Sequence, residues 1–210
     1  MCWESAQCIT FGGLNTIKNN DIGVQISFGG VGVFTAGTTI IEGNSTAGVE
    51  VTSHSHARFD GQSKVRNNGS TTEPLRAGIW VDGTSQVYMQ GGNEVTGNIG
   101  PGIVADINST LDVTDATISG NTEEGIRLRR MSIAEIQGAT ATAGNSGGPL
   151  TCDATSLVIS RLIGRGGKCS NTEVPPGPKP RTASALGMAP YAEAMMEQAR
   201  RMAELSKGPK

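Results

Sequence analysis

The stretch NIGPGIVADINSTLDVTDATISG at residues 98–120 is followed directly by NTEEGIRLRRMSIAEIQGATATAG at residues 121–144. Both stretches begin with an asparagine, continue with a Gly-Ile step, and then carry a serine that opens an alternating run of apolar and polar residues. The two stretches are therefore consecutive units of one repeat. A repeat of roughly two dozen residues indicates a stack of small units, each of which buries its apolar side chains only against its neighbours.

The same landmarks recur along most of the chain. An asparagine appears with spacings of 24, 24, 30, 23 and 24 residues, at Asn20, Asn44, Asn68, Asn98, Asn121 and Asn145. A Gly-apolar step follows five of them, at Gly23-Val24, Gly48-Val49, Gly78-Ile79, Gly102-Ile103 and Gly125-Ile126. Asparagine suits a turn in such a stack because it tolerates the left-handed backbone region and its amide can both donate and accept. We therefore predict a ladder of these asparagines from coil to coil.

Period-two alternation predicts three short strands in each coil, with one side chain in two facing inward. One predicted inward column is Ala57, Val87, Leu111, Ala134 and Val158, and the next is Phe59, Met89, Val113 and Ile136. A second strand contributes Val24, Val49, Ile79, Ile103, Ile126 and Leu150. The predicted fold is all-β, a right-handed parallel β-helix of about six coils spaced about 4.8 Å apart, followed by a C-terminal tail helix.

These marks resemble those of the right-handed β-helix proteins of the pectate-lyase-like superfamily. More specifically, the N-x-x-x-G-I-x-V and S-x-φ-x-φ marks are similar to those of the bacterial right-handed parallel β-helix repeat group. The resemblance covers about residues 15 to 165. Lyases, hydrolases, epimerases, adhesins and tail spikes share this fold, so the resemblance implies an architecture and leaves the function open.

The repeat also sets the domain boundaries. Residues 1–14 are predicted to be a remnant coil or an N-terminal cap, residues 15–170 the β-helix, and residues 171–182 a stiff proline-rich linker. Residues 183–210 have the apolar spacing of an amphipathic tail helix. Because solenoids need capping units, we expect the natural protein to begin upstream of Met1.

Composition argues against some partners. The chain has 17 basic and 19 acidic residues and a net charge of −2, which gives no electrostatic reason to expect nucleic acid or an anionic membrane. The sequence has no apolar run long enough for a transmembrane helix and no signal peptide.

The four cysteines suggest an oxidising compartment. They form two pairs that are close in sequence, Cys2 with Cys8 and Cys152 with Cys169. We predict a disulfide between Cys152 and Cys169, with two buried free thiols as the alternative, and hence an extracytoplasmic location.

A candidate ligand-binding groove lies on the outer side of the strands that follow the Gly-apolar steps. Alternation predicts that five residues share this face over three coils: Trp80, Asp82, Asp106, Arg127 and Arg129. An exposed tryptophan can stack on a sugar ring, and carboxylates with arginines can bind uronates or calcium. The insertion between Asn68 and Gly78 could form one wall of the groove, since insertions in solenoids often flank binding faces. The alternative is an exposed sheet held by ion pairs between coils.

Two other motifs attract attention but do not indicate a site. The segment Gly144–Cys152 resembles the nucleophile segment of trypsin-like proteases, yet Asn145 already belongs to the repeat and nothing resembles the histidine segment of a protease. His54 and His56 are interpreted as solvent-facing strand residues beside Arg58, because two ligands alone do not make a metal site.

No catalytic residue can be carried over from the family's enzymes. The chain lacks the Asn-Thr-Asp, Asp-Asp, Gly-His-Gly and Arg-Ile-Lys set of polygalacturonases, the Asp-Pro-His segment of alginate epimerases and the Arg-x-Pro-x-x-Arg segment of pectate lyases. No cofactor is expected, although the carboxylates of the candidate groove would suit calcium.

Three functions remain as hypotheses. The first is a non-catalytic extracytoplasmic module that binds polysaccharide or serves as a surface scaffold. The second is a fragment of a polysaccharide lyase or hydrolase that acts on acidic glycans, with its site around Asp82, Asp106 and Arg129 or in missing N-terminal coils. The third is an assembly protein that oligomerises through its tail helix. The sequence leaves the oligomeric state open.

Overall fold

The computed structural model describes residues 8–35, 37–73, 76–138, 140 and 142–160. In these ranges the chain forms eighteen short strands and no helix, and it winds through about six turns of a parallel β-solenoid. Strands from successive turns pair in parallel and build three sheets. The predicted all-β fold of stacked coils is therefore confirmed. The predicted linker and tail helix lie outside the described residues.

Most turns contribute one strand to each sheet, and the three sheets have seven, five and six strands. The first sheet contains β1 (Cys8–Phe11), β4 (Val31–Phe34), β7 (His56–Phe59), β10 (Gln86–Gln90), β13 (Thr110–Thr114), β16 (Ile133–Gln137) and β18 (Leu157–Ser160). The second contains β2 (Asn15–Lys18), β5 (Thr39–Glu42), β8 (Lys64–Arg66), β11 (Glu94–Thr96) and β14 (Thr117–Ser119). The third contains β3 (Ile22–Ile26), β6 (Ala47–Val51), β9 (Ala77–Val81), β12 (Ile103–Ala105), β15 (Ile126–Leu128) and β17 (Leu150–Cys152).

The core is a set of inward columns that run along the solenoid axis. In the first sheet, Val87 pairs in register with Ala57 and Leu111, and Ala134 pairs with Val158. In the third sheet, the column runs from Val24 through Ile79 and Ile126 to Leu150. These are the predicted inward residues, and nearly all of them are buried. Alternation predicts them correctly because a half-buried strand exposes every second side chain.

Three stacked phenylalanine rings form part of the core in the N-terminal coils. The rings of Phe11 and Phe34 lie 4.6 Å apart, and those of Phe34 and Phe59 lie 4.3 Å apart, all nearly parallel. The repeat pattern does not predict β4, because Gly30 stands where later coils have a serine. The three phenylalanines would have revealed this coil, since identical positions in successive coils stack directly on one another.

The recurrent asparagines form one hydrogen-bonded column. The side-chain amide of Asn44 donates to Asn68 Oδ1 over 2.8 Å, and that of Asn121 donates to Asn145 Oδ1 over 2.8 Å. Each Oδ1 also accepts the backbone N–H of the asparagine in the preceding coil, as between Asn98 N and Asn121 Oδ1 at 3.0 Å. The side chains therefore satisfy backbone groups that the turn would otherwise bury without partners.

A second polar column follows the serines that open the strands of the first sheet. The backbone N–H of Ser55 donates to Ser85 Oγ over 3.1 Å, and the same bond recurs from Ser85 to Ser109 and from Ser109 to Ser132. The repeat marks these serines, but only the structure shows this role. The buried hydroxyls of Ser85, Ser109 and Ser132 each accept a backbone N–H that lies just before a strand of the first sheet.

The turn between the third and first sheets corrects one expectation. His54 lies in this turn with φ of 63°, beside Ser53 with φ of 57°, whereas His56 begins β7. The two histidines therefore do not alternate along one strand as predicted. Their turn recurs in other coils with a pair of left-handed residues, for example Ile107 and Asn108.

The cysteines are only partly described. Cys152 is buried at the end of β17, and neither it nor Cys8 is a free thiol. The predicted partner, Cys169, lies outside the described residues, so the pairing of Cys152 with Cys169 stays a prediction. Within the described ranges, no helix has the length and apolar character needed to cross a membrane.

Candidate ligand-binding face of the third sheet

The outer side of the third sheet brings the predicted groove residues together. Its central outward column runs in register through Gln25, Glu50, Trp80, Val104, Arg127 and Thr151. The backbone bonds continue this register for two more residues, since Asp106 N donates to Val81 O and Arg129 N donates to Ala105 O. We call this surface the third-sheet face.

Trp80 is not the exposed platform that alternation suggests. It is only 7% exposed and packs with Ala77 and Val104 in a small apolar cluster outside the main core. The Arg129 guanidinium lies 5.4 Å from the ring centroid, in a cation–π arrangement. The apolar residue Val104 at the next outward position was the sequence signal for this burial.

Asp106 is the most enclosed acid on the face. Its side chain is 0% exposed and accepts hydrogen bonds from Arg129, from Arg130 and from the backbone N–H of Ile107. Burial raises the pKa of this carboxyl, but the bonds and charges of Arg130 and Arg129 outweigh burial and hold the pKa below its ordinary value. Asp106 is therefore an ionised structural acceptor for two arginines.

The contribution of Asp106 to stability should depend on pH. Asp106→Asn is expected to cost about 2 kcal/mol near neutral pH, because two arginines lose a charged partner. A carboxyl with a depressed pKa stabilises fully above its ordinary value of 3.8, and this stabilisation fades as the pH falls through the depressed value. Denaturant unfolding should therefore show a gap between wild type and variant that narrows in acid.

The matched control is Asp60→Asn, at a more exposed ion pair with Arg58. That substitution should cost less than about 1 kcal/mol at neutral pH. Equal losses of unfolding free energy for both variants would mean that the enclosed ion pairs of Asp106 stabilise the protein no more than an exposed ion pair does.

Arg127 is also fully engaged within the protein. It pairs with Glu123 at 2.6 Å and with Glu124 at 2.5 Å, and Glu123 pairs in turn with Arg76 at 2.6 Å. Burial raises the pKa of Glu123, but Arg127 and Arg76 together lower it below its usual range. Arg76 belongs to the insertion between Asn68 and Gly78, so this bond fixes the end of the insertion to a coil two turns further on.

A cleft opens at the other end of the face, beside Glu50. It measures about 250 Å³ and is lined by Ile22, Gln25, Thr46, Ala47, Glu50 and Trp80. Gln25 Nε2 donates to Glu50 Oε2 over 3.2 Å. Burial raises the pKa of Glu50, the Gln25 bond opposes this, and the negative charges of Asp82 and Asp21 raise it further. No arginine or lysine of the described residues forms an ion pair with Glu50.

A family model described as "Right handed beta helix region" matches residues 2–161. The chain belongs to this right-handed β-helix family. No curated protein and no solved structure matches it at a significant level. The family sets the architecture of this right-handed β-helix protein, and membership of the bacterial repeat subgroup stays a prediction.

The two histidines of this β-helix protein lie in different elements, His54 in a turn and His56 in β7. Within the described ranges, no three His, Cys, Asp or Glu side chains are placed to hold a metal ion. His56 pairs in register with Gln86, and burial lowers its pKa, as does Arg58, while the Gln86 hydrogen bond opposes them. On the same sheet, the Arg58 guanidinium lies 5.5 Å from the Tyr88 ring centroid, in a cation–π contact.

The third-sheet face therefore divides into two chemically different parts. The charged part, around Asp106 and Arg127, consists of ion pairs that satisfy one another. The cleft around Glu50 and Trp80 combines apolar surface, an amide and a carboxylate without a cationic partner among the described residues. The repeat places Gln25 and Glu50 on the outward column, but no sequence motif marks either of them as a site residue.

Proposed function

We propose that this protein is a non-catalytic β-helix module that binds polysaccharide on its third-sheet face. The observation that carries the proposal is the cleft beside Glu50, where apolar side chains meet polar ones. Sugar rings offer both an apolar C–H surface and hydroxyl groups, so such a mixed lining suits them. Pockets for drug-sized ligands span roughly 300–1,000 Å³, and this smaller cleft would suit a single ring of a chain.

The architecture supports binding of an extended polymer. The strands of the third sheet stack about 4.8 Å apart and hold their outward side chains at fixed intervals along the axis. A polymer lying along the axis would pass the cleft and then the ion pairs of later coils. A rigid face of this kind loses little conformational entropy when it binds.

A catalytic role on acidic glycans has less support. An acid catalyst needs a carboxyl that can exchange a proton near working pH, whereas Asp106 is enclosed by Arg129 and Arg130. The Asp82 carboxylate accepts the backbone N–H of Gly83 over 2.7 Å. Arg127 and Arg129 would have to leave their present carboxylates before binding a uronate.

Extracytoplasmic location is part of the proposal, since polysaccharide would be met there. The two local cysteine pairs support it. Mass spectrometry of non-reduced peptides should find Cys152 linked to Cys169, and two alkylated free thiols in oxidised native protein would count against export.

Fluorescence titration tests the binding function. In a Trp3→Phe background, Trp80 is the only tryptophan, because the chain has two. Titration with a panel of neutral, amino and acidic oligosaccharides should shift its emission with at least one member. Trp80→Phe, followed by calorimetric titration because no tryptophan then remains, should weaken that binding, whereas Tyr88→Phe, at the matched arginine-covered ring of the first sheet, should leave it unchanged. A panel without any binder would overturn the proposal.

A further inference from the structure

The cleft beside Glu50 has an uneven distribution of charge. Its lining contains one carboxylate, Glu50, and no basic residue. Asp82 directly follows β9 and Asp21 directly precedes β3. The negative charges of both residues raise the pKa of Glu50. Thr46 and Ser45 hydroxyls bond to Asp21 and lower its pKa, so that this carboxylate also remains charged at neutral pH. The cleft is therefore negative, in contrast to the neutralised ion pairs around Asp106.

Glu50 lacks the partner that a desolvated carboxylate normally has. Gln25 supplies one amide bond, and the neighbouring column position holds Trp80. Arg129 covers the ring of Trp80 but pairs with Asp106 and not with Glu50. A partly buried carboxylate without a counter-ion is costly, and a cationic ligand would offset that cost.

We infer that the cleft binds a protonated amino sugar within a polysaccharide, with the sugar ammonium against Glu50 and the ring's C–H surface against Ile22, Ala47 and the edge of Trp80. This inference rests on the proposed function and names its ligand class. An acidic sugar would be repelled by three carboxylates. An uncharged sugar would leave Glu50 without a counter-ion. The apolar lining and ring-sized volume favour a sugar over a lysine side chain.

Binding should depend on pH in a defined direction. Glu50 must be ionised to pair with an ammonium, so affinity should fall as the pH drops through the raised pKa of Glu50. Asp21 and Asp82 face Glu50 from the adjoining strand ends, Gln25 and Trp80 from the neighbouring strands, and Arg129 lies beyond Trp80. Affinity should also fall at high pH, where the sugar amine loses its proton.

Calorimetric titration of the full chain tests the inference with three probes of equal length: glucosamine oligomers, N-acetylglucosamine oligomers and galacturonate oligomers. Glucosamine oligomers should bind at least about tenfold more tightly than the other two. Glu50→Gln should lower that affinity about tenfold while leaving the unfolding midpoint unchanged. The matched control is Glu135→Gln, an acid on the outer side of the first sheet beside Asp112, and it should have no effect on binding.

Four other outcomes would contradict either this inference or the proposed function. Preference for N-acetylated or acidic oligomers would overturn this inference but leave the proposed function standing. Unchanged affinity in Glu50→Gln would do the same, because binding would then lie elsewhere. Equally tight binding of a lysine oligopeptide would overturn the assignment to a sugar. Failure of every oligosaccharide would overturn the proposed function itself.

Discussion

Replacement of Ile126 by aspartate is expected to unfold the β-helix. Ile126 is fully buried and pairs in register with Ile103 on one side and Leu150 on the other. A carboxylate in this column would lack both water and a cationic partner, and such burial costs more than about 4 kcal/mol. Circular dichroism should show loss of cooperative thermal unfolding.

The matched control uses the same substitution on an outward position. Ile133→Asp places the carboxylate on the outer side of the first sheet, where Ile133 is 38% exposed. Its cost should stay within about 1 kcal/mol. Similar unfolding temperatures for the two variants would show that the inward and outward assignments are wrong.

Asn98→Ala is expected to destabilise the protein by about 3 kcal/mol. Asn98 Oδ1 accepts from Asn68 N at 3.0 Å, and its amide donates to Asn121 Oδ1 at 2.9 Å and to Val65 O at 3.2 Å. Alanine would remove these three bonds and a fourth, from Asn68 Nδ2 to Asn98 Oδ1 at 3.1 Å, and would leave the buried N–H of Asn68 without its acceptor. Denaturant titration measures the loss.

The control for this prediction is Asn67→Ala. Asn67 is exposed and has a φ of 54°, so alanine there should cost only about 1 kcal/mol for the left-handed backbone. A loss at Asn98 no larger than at Asn67 would mean that the asparagine column contributes little beyond its turn geometry.

The fold was largely predictable because the repeat couples sequence to position. Asn98 and Asn121 must occupy equivalent turns if coils of similar length stack, and the Gly-apolar steps then place Ile103 beside Ile126. The exception, β4, lost its marker because Gly30 replaces the serine. In a solenoid, the spacing of the repeat fixes which residues lie beside one another in neighbouring coils, and that spacing can be read from the sequence.

The candidate site was less predictable because partners depend on side-chain conformation. Register placed Asp106 and Arg129 on one face, but the second partner, Arg130, reaches Asp106 from a turn residue with φ of 49°. Outward placement likewise suggested that Trp80 was exposed, whereas its neighbours cover it. No periodicity in the sequence reports such lateral contacts, nor the cleft that they leave open beside Glu50.

The central functional claim concerns the location of binding on the third-sheet face. Amide chemical shifts of isotope-labelled protein, recorded during titration with the tightest-binding oligosaccharide, test it most directly. The largest changes are expected at residues 22–25, 46–50 and 79–82, around Glu50. Changes concentrated instead at residues 123–130, around the ion pairs of Arg127 and Arg129, would contradict it.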